Sequence, residues 1–296
     1  MATKIGIIGG SGLYEMEGMS DVRQRELTTP FGTPSDPFVC GRLGDSEMFF
    51  LPRHGRGHRL LPSEINHRAN IYAFKMLGVE RIISISAVGS LKEELSPRDV
   101  VMPNQYFDRT KEGRSHTFFG EGAVAHVSFG DPTCPDMKVC IAATIAAELA
   151  TGKYGASRLH EGGTYVNMEG PAFSTRAESD YYRRFGFDII GMTSLPEAKL
   201  CREAEICYQP IAMVTDYDCW HAAEEPVTVE MIIGHLLANV ALAKNIIRRL
   251  ATTLPSVRRC GCGSALKSAL ITAPDAIPAA TRDRLDLLIG KYLVRR

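Results

Sequence analysis

Apolar positions in this chain form short β-type runs that alternate with stretches of helical period, and this alternation argues for an α/β fold. Residues 4–8 (Lys-Ile-Gly-Ile-Ile) read as a buried strand that runs into Gly9-Gly10-Ser11-Gly12. Residues 38–43 and 47–51 are two β-type runs separated by Gly44-Asp45-Ser46, a hairpin pattern. Ser63 is expected to cap a helix that runs to Leu77 and is closed by Gly78. Residues 81–87 form a strand of the fully buried kind that breaks at Gly89-Ser90, and residues 99–102 supply another. Residues 103–133, with many Gly, polar and aromatic positions, read as a long connection of the sort given to active-site lids. Pro135 opens an Ala-rich helix to about Leu149.

The second half repeats the alternation. Residues 164–168 are a strand, and Thr175 starts a helix with Glu178 three residues on, a capping box. Residues 187–193 are a strand, and Ser194-Leu-Pro-Glu197 reads as a second capping box, opening a helix that ends near Ala204. Residues 211–216 are an apolar strand. Thr228 begins the strongest helix, with Val229, Ile232, Ile233, Leu236, Leu237, Val240, Ile246, Ile247 and Leu250 on a 3.6-residue period. The expected architecture is a single α/β domain over residues 1–250, with a mixed central β-sheet flanked by helices. Residues 251–296 follow as a C-terminal extension: an irregular stretch with Cys260-Gly-Cys262, then a short helix around Arg282 to Leu288. It is expected to pack on the same domain or on a neighbouring subunit.

Composition narrows the function classes. The 296 residues are 45% hydrophobic, enough for a large core. Lys plus Arg is 34 and Asp plus Glu is 34, so no bulk field gathers nucleic acid or anionic membrane, and any phosphate must be bound locally. The chain enters a strand at once without a signal-peptide core, and no run reaches about 18 apolar residues; a cytoplasmic location is expected. The eight cysteines are too scattered for a secreted disulfide scaffold, and buried free thiols are the default. Cys260-Gly-Cys262, in a Gly-rich turn, is the exception that invites redox or metal chemistry. A zinc site wants a second Cys or His pair at ligand spacing, and none lies nearby in the sequence, so no metal is expected. His54 and His58 have a zinc-helix spacing, yet the glycines between them argue against a helix.

Candidate chemistry collects where β runs stop. Gly9-Gly10-Ser11-Gly12 suits an anion as well as it suits a tight structural turn. Pro52-Arg53-His54-Gly55-Arg56-Gly57-His58 is a concentrated source of cationic donors or a basic surface turn. Ser86, Ala87 and Gly89 permit close approach. Asp216 and Asp218, two apart at the end of the 211–216 run, would point the same way in extended backbone. They suit acid/base chemistry on a heterocycle, or they are a solvated strand end.

Taken together, Ile7-Ile-Gly-Gly-Ser-Gly-Leu13, Arg53-His-Gly-Arg-Gly-His58, Asn66 to Ala73, Ala87-Val-Gly-Ser-Leu91, Glu169-Gly-Pro-Ala-Phe-Ser174, Met192-Thr193 and Thr215-Asp-Tyr-Asp-Cys-Trp220 resemble the 5′-methylthioadenosine phosphorylase family. That family lies in the trimeric branch of the purine nucleoside phosphorylases, and the match is collinear from about residue 4 to 250. The resemblance implies phosphorolysis of methylthioadenosine to adenine and 5-methylthioribose 1-phosphate. Inorganic phosphate is a co-substrate, with no metal or organic cofactor, and the assembly is a homotrimer or a dimer of trimers. It assigns phosphate contacts to Ser11, Arg53, His54, Ala87 and Thr193, with Ser86 beside them. Asp216 would protonate or hydrogen-bond the purine at N7, Asp218 would accept from the 6-amino group or share the proton, and Phe173 and Met192 would sandwich purine and ribose.

The same resemblance bears on substrate choice. Relatives that cleave 6-oxopurines carry Glu and Asn where this chain has Ser174 and Asp216, so the pattern here is that of a 6-aminopurine enzyme. Those relatives also place a His near the 5′-hydroxyl where this chain has Val229, backed by Ile232 and Ile233. An apolar pocket suits a methylthio group, whereas adenosine would bury an unpaired hydroxyl at about 1–3 kcal/mol. The rivals are phosphorolysis of methylthioinosine or of purine nucleosides more broadly, hydrolysis by water, and an idle nucleoside-binding protein. Two features depart from or extend the pattern. Ser11 replaces a common Thr but keeps the hydroxyl. The Cys-x-Cys tail resembles archaeal and bacterial members, in which cysteine pairs are sometimes oxidised, which implies Cys140 with Cys207, or Cys260 with Cys262.

Overall fold

Three buried runs, β1 (Lys4–Gly9), β5 (Arg81–Ser90) and β11 (Cys207–Asp216), pair in parallel through β5 and form the centre of the sheet. The computed structural model describes residues 2–10, 12–13, 16–111, 116–221 and 229–293, except for the side chains of 229–234 and of Leu236. On one side β1 pairs in parallel with β4 (Ser46–Pro52), which forms a hairpin with β3 (Phe38–Leu43), and β2 (Ser20–Arg25) lies outermost. On the other side β5 pairs with the short antiparallel β10 (Ile189–Gly191), then come β9 (Thr164–Met168) and β7 (Gln105–Arg109). β11 leads separately to β6 (Val100–Met102) and β8 (Leu159–Glu161). The sheet is mixed, as the sequence pattern predicts.

The period of two in the strands decides which helices cover which face. Ile5, Ile7, Met48, Phe50, Ile83 and Ile85 meet α2 (Pro135–Leu149) and α5 (Val229–Thr253) through Met137, Ile141, Ile145, Leu242, Ile246 and Leu250. Ile8, Phe38, Phe49, Leu51 and Ile82 meet α1 (His67–Met76), α4 (Ser194–Glu203) and α6 (Ala279–Leu293) through Phe74, Leu200, Leu285 and Ile289. α3 (Arg176–Arg184) covers a smaller cluster around Tyr182 and Ile190. The C-terminal extension therefore packs against its own chain, with Leu266, Leu285 and Ile289 fully buried.

Several boundaries differ from the sequence reading for identifiable reasons. The first helix starts after Asn66, whose side chain accepts from the Ala69 N–H at 3.1 Å; Ser63 lies in a preceding turn closed by the Leu61 N–H on Glu64. β5 runs through Gly89-Ser90, because Gly89 faces Asp216 of β11 and Ile190 of β10, where a larger side chain would crowd both. The described residues of 103–133 are tied into the fold and do not form a free lid. They contain β7, bury Phe118 and Ala123 completely, and are bridged to the extension at Ala125–Leu270. The second capping box does not form, since the cap residue is Thr193 and the Glu197 side chain turns inward to Arg53. The Thr175–Glu178 box forms in both directions. β2 had no apolar signal because every one of its residues is exposed.

Candidate active site

One cavity of about 430 Å³ opens where these strands end, within the range of small-ligand sites. Its walls include Gly10 after β1, Arg53 and His54 after β4, Ser86, Ala87 and Gly89 of β5, Met192 and Thr193 after β10, and Asp216 and Asp218 at the end of β11. Apart from β10, which runs antiparallel to β5, these are the carboxyl ends of the parallel strands, where open α/β sheets place their ligands. Phe173, 56% exposed, stands on its wall with Met168 and Pro171.

Arg53 is buried yet held open to this cavity. Its Nε donates to Glu197 Oε1 at 2.5 Å, Nη2 to Glu197 Oε2 at 3.4 Å and to Ser84 Oγ at 2.7 Å, and Nη1 to the Ile85 carbonyl at 3.0 Å. Those bonds occupy four of the five guanidinium N–H groups, which leaves one Nη1 hydrogen for a ligand among the described residues. Burial opposes the charge, but the Glu197 carboxylate outweighs it and holds the Arg53 pKa above its ordinary value. Glu197 is fixed in turn by Ser84 and Tyr208 hydroxyls at 2.6 and 2.9 Å. Sequence reasoning missed Glu197 because its position mimics a capping box. The signal it overlooked was a lone carboxylate on the buried face of an amphipathic helix.

His54 directs Nδ1 to the Leu60 carbonyl at 2.9 Å, and since a carbonyl only accepts, the proton sits on Nδ1 and Nε2 is an acceptor. Burial, then the Arg53 charge, lowers its pKa to about 4, so the ring is neutral near pH 7. It stacks on His58 at 4.3 Å. Thr193 caps α4 without a side-chain bond to the helix, so the helix N-terminus and a hydroxyl meet the cavity together. Ser86 is buried, and its hydroxyl has no hydrogen-bond partner among the described residues that meets ordinary geometry. Ala87 is exposed within an otherwise buried stretch of strand, which bares backbone to the cavity. Ser11 lies outside the described residues.

At the other end of the cavity the two carboxylates converge by a route the sequence did not suggest. β11 has a bulge between Val214 and Asp216, and Asp218 lies beyond the strand with a left-handed backbone at φ 53°. They are therefore not neighbours on one extended face. The turn returns the Asp218 N–H onto Asp216 Oδ1 at 2.8 Å, while Thr215 Oγ1 donates to Asp216 Oδ2 at 2.7 Å. Both oxygens of Asp216 thus accept hydrogen bonds. Burial raises the pKa of Asp218, and repulsion from Asp216 adds to it, against the opposing pull of Ser179 and Ser174. Ser174 therefore stands beside Asp218. Trp220 Nε1 donates to the Ser90 carbonyl at 2.8 Å and ties the turn to β5.

Asn239 on α5 also lines the cavity and donates to the Val214 carbonyl at 3.2 Å. It was legible as an amide within an apolar helical stretch, but was not singled out. Val229 begins α5, and Ile232 and Ile233 follow in it, with side chains outside the described set. Neither the Cys140–Cys207 nor the Cys260–Cys262 pairing is formed, because the cysteines are free thiols. Cys140 donates to the Thr253 carbonyl at 3.5 Å, whereas Cys207 faces Cys260.

A family profile described as "Phosphorylase superfamily" matches residues 4–252. Among curated relatives, an S-methyl-5′-thioadenosine phosphorylase of Geobacter sulfurreducens is 57% identical over 293 residues, covering 99% of this chain and 100% of that one. One from Koribacter versatilis is 58% identical, covering 99% and 97%. A methylthioadenosine phosphorylase crystal structure from an antarctic soil metagenomic library superposes with a TM-score of 0.89 at 47% identity, covering 97% and 99% of the two chains. A Schistosoma mansoni methylthioadenosine phosphorylase in complex with adenine superposes with a TM-score of 0.82 at 37% identity, covering 90% and 96%.

Proposed function

The chain belongs to the phosphorylase superfamily, and from that membership and the cavity we infer that it cleaves S-methyl-5′-thioadenosine with inorganic phosphate. The products are adenine and 5-methylthioribose 1-phosphate, and the enzyme is a pentosyltransferase. The observation that carries this reading is one cavity with buried donors at one end (Arg53, Ser86, Thr193) and a carboxyl pair at the other, joined by apolar walls. No side-chain nucleophile is required, because the attacking group is itself an anion held among donors.

In the mechanism we propose, a phosphate oxygen forms a bond to the anomeric carbon as the glycosidic C–N bond breaks and its electron pair moves into the purine. Arg53 offers its remaining Nη1 hydrogen, Thr193 its hydroxyl and helix N-terminus, and Ser86 and Ala87 their hydroxyl and backbone, with Ser11 completing the cradle. Neutral His54 offers Nε2 as an acceptor, which suits a hydrogen phosphate that still carries a proton. The purine lies between Phe173 and Met192. The Asp216–Asp218 pair holds one proton between its carboxyls. The proton rests on Asp218, which faces the 6-amino group, and passes to Asp216, which faces N7 and donates it there as the C–N bond breaks, leaving both carboxyls ionised. Assistance of this kind is worth about 10²–10⁴ in rate.

Ser174, with Val229, Ile232 and Ile233, sets the choice of a 6-aminopurine bearing an apolar 5′ group. Methylthioadenosine, methylthioinosine and adenosine should be compared at one phosphate concentration, with and without phosphate. Methylthioadenosine is expected to be the best substrate, with no adenine released when phosphate is omitted. Faster turnover of the inosine compound, or phosphate-independent turnover, would overturn the assignment.

The exposed aromatics Tyr181 and Phe185, tilted against each other at 4.7 Å at the end of α3, support assembly into a homotrimer or a dimer of trimers, which sedimentation measures. No helix among the described residues is long and apolar enough to cross a membrane. A cytoplasmic location and the use of no metal or organic cofactor in catalysis belong to the same proposal.

A further inference from the structure

Far from the cavity, four cysteines from three parts of the chain converge. The thiol sulfurs of Cys134, Cys207, Cys260 and Cys262 all lie within 4.8 Å of one another. Cys260 Sγ is 3.4 Å from Cys207 Sγ and 3.6 Å from Cys134 Sγ. Cys134 is the residue that precedes α2, Cys207 opens β11, and Cys260 and Cys262 flank the start of a single 3₁₀ turn in the C-terminal extension. Cys260 is separated from Cys207 by 53 positions and from Cys134 by 126, so a search for ligand spacing along the chain finds only the Cys-x-Cys half.

We propose that these four thiols form a structural zinc(II) site that fastens the C-terminal extension to the sheet. A tetrahedral ion with Zn–S bonds of about 2.3 Å sets its sulfurs about 3.8 Å apart, close to the separations seen here. The donor set is all sulfur and leaves no open position, the pattern of a structural site rather than a catalytic one. Convergence of four sulfurs on one point is what a tetrahedral ion needs; a disulfide needs only two, and here Cys260 approaches both Cys207 and Cys134, at 3.4 and 3.6 Å. The sulfurs also sit too close together to surround a multi-iron cluster, whose thiolates stand outside separate irons.

The surroundings favour deprotonation, which metal binding requires. Cys134 sits at the N-terminus of a 15-residue helix, where the dipole favours a thiolate. Zinc would displace the thiol protons to solvent and leave a four-thiolate complex. Cys134, Cys207 and Cys262 are buried and Cys260 is half-buried, so the ion would be shielded but reachable.

The test uses the full-length protein, stripped by chelator under reductant and titrated anaerobically with Co²⁺, then with Zn²⁺. We expect one Co²⁺ per chain, with the intense visible bands of tetrahedral thiolate coordination, displaced by one equivalent of Zn²⁺. Zinc should also raise the Tm by several degrees. Cys260→Ser and Cys262→Ser should lose the bands, while Cys140→Ser retains them. Because the wild-type titration decides on its own, a variant that misfolds, as judged by circular dichroism, does not shield the proposal. Absence of the bands, or weak octahedral cobalt spectra, would overturn it. So would denatured protein, purified without reductant, that titrates fewer than eight thiols and has lost two hydrogens per missing pair: the cluster would then be a disulfide site.

Discussion

The two ends of β11 are made from one continuous buried strand and do opposite things. Its ten residues span about 30 Å and are buried throughout, with Cys207 at one end and Asp216 at the other. At the amino end the neighbouring elements close in, and four sulfurs lie within 4.8 Å of one another. At the carboxyl end the parallel strands stop together, a bulge and a left-handed residue turn the chain aside, and a cavity remains. The comparison teaches that polar side chains at a strand end become a ligand site only where the topology leaves space, and otherwise become a fastening.

The sharpest break in this comparison is Asp216→Ala. It should lower kcat/KM for methylthioadenosine by about 10²–10⁴ with little change in Tm, measured by adenine release; unchanged turnover would deny the carboxyl end its chemistry. Next in size is Glu197→Gln, which leaves Arg53 charged and buried with a weaker partner. Loss of such a pair costs up to about 3–5 kcal/mol, read by urea unfolding, and KM for phosphate should rise with it. If Arg53→Met in the same chain restores stability without restoring phosphate binding, the pair serves the anion rather than the fold.

The next prediction concerns pH. Burial raises the pKa of Asp218, so the folded chain keeps a proton that the unfolded chain releases just above the ordinary carboxylate value of 3.8. Stability from this group is present at low pH and lost as pH rises through its folded pKa, and kcat/KM should fall over the same limb. Asp218→Asn should remove that limb from both profiles; a limb that persists would assign the proton elsewhere. His54 has the opposite sign. Its pKa is about 4 against an ordinary 6.5, so its contribution is present above 6.5 and lost as pH falls toward 4, and His54→Gln should flatten that part of the unfolding curve. The smallest expected effect on catalysis comes from the far end of the strand. Cys262→Ser should leave kcat/KM within about twofold, since substitutions remote from one another are independent; a large loss would mean that the two ends communicate.

The sequence carried most of the architecture because strand and helix periods are set by burial. The central strands, the Pro135 helix and the Thr175–Glu178 cap all follow from local pattern. The failures share a cause. Ser63, the Ser194–Glu197 box and the break at Gly89 are local motifs overruled by partners distant in sequence: Asn66 supplies the better cap, Arg53 claims Glu197, and Gly89 accommodates Asp216. The candidate site was legible as a set of strand ends, and the cavity walls include Arg53, His54, Ser86, Ala87, Met192, Thr193, Asp216 and Asp218. Its support was not. Ser84, Glu197, Tyr208 and Asn239 are polar residues inside apolar patterns, and only the fold reveals what each one holds. The four-sulfur cluster was hidden for the same reason, being near only in space.

The left-handed backbone of Asp218 also makes the two acids unequal as targets of mutation. At φ 53° a residue with an ordinary side chain is strained, whereas Asn, Asp and Gly are tolerated. Asp216, in strand backbone, carries no such restriction. Under random substitution the pair should therefore drift asymmetrically: position 216 is free to explore new chemistry for the purine, while position 218 is tethered by its own main chain to a narrow vocabulary.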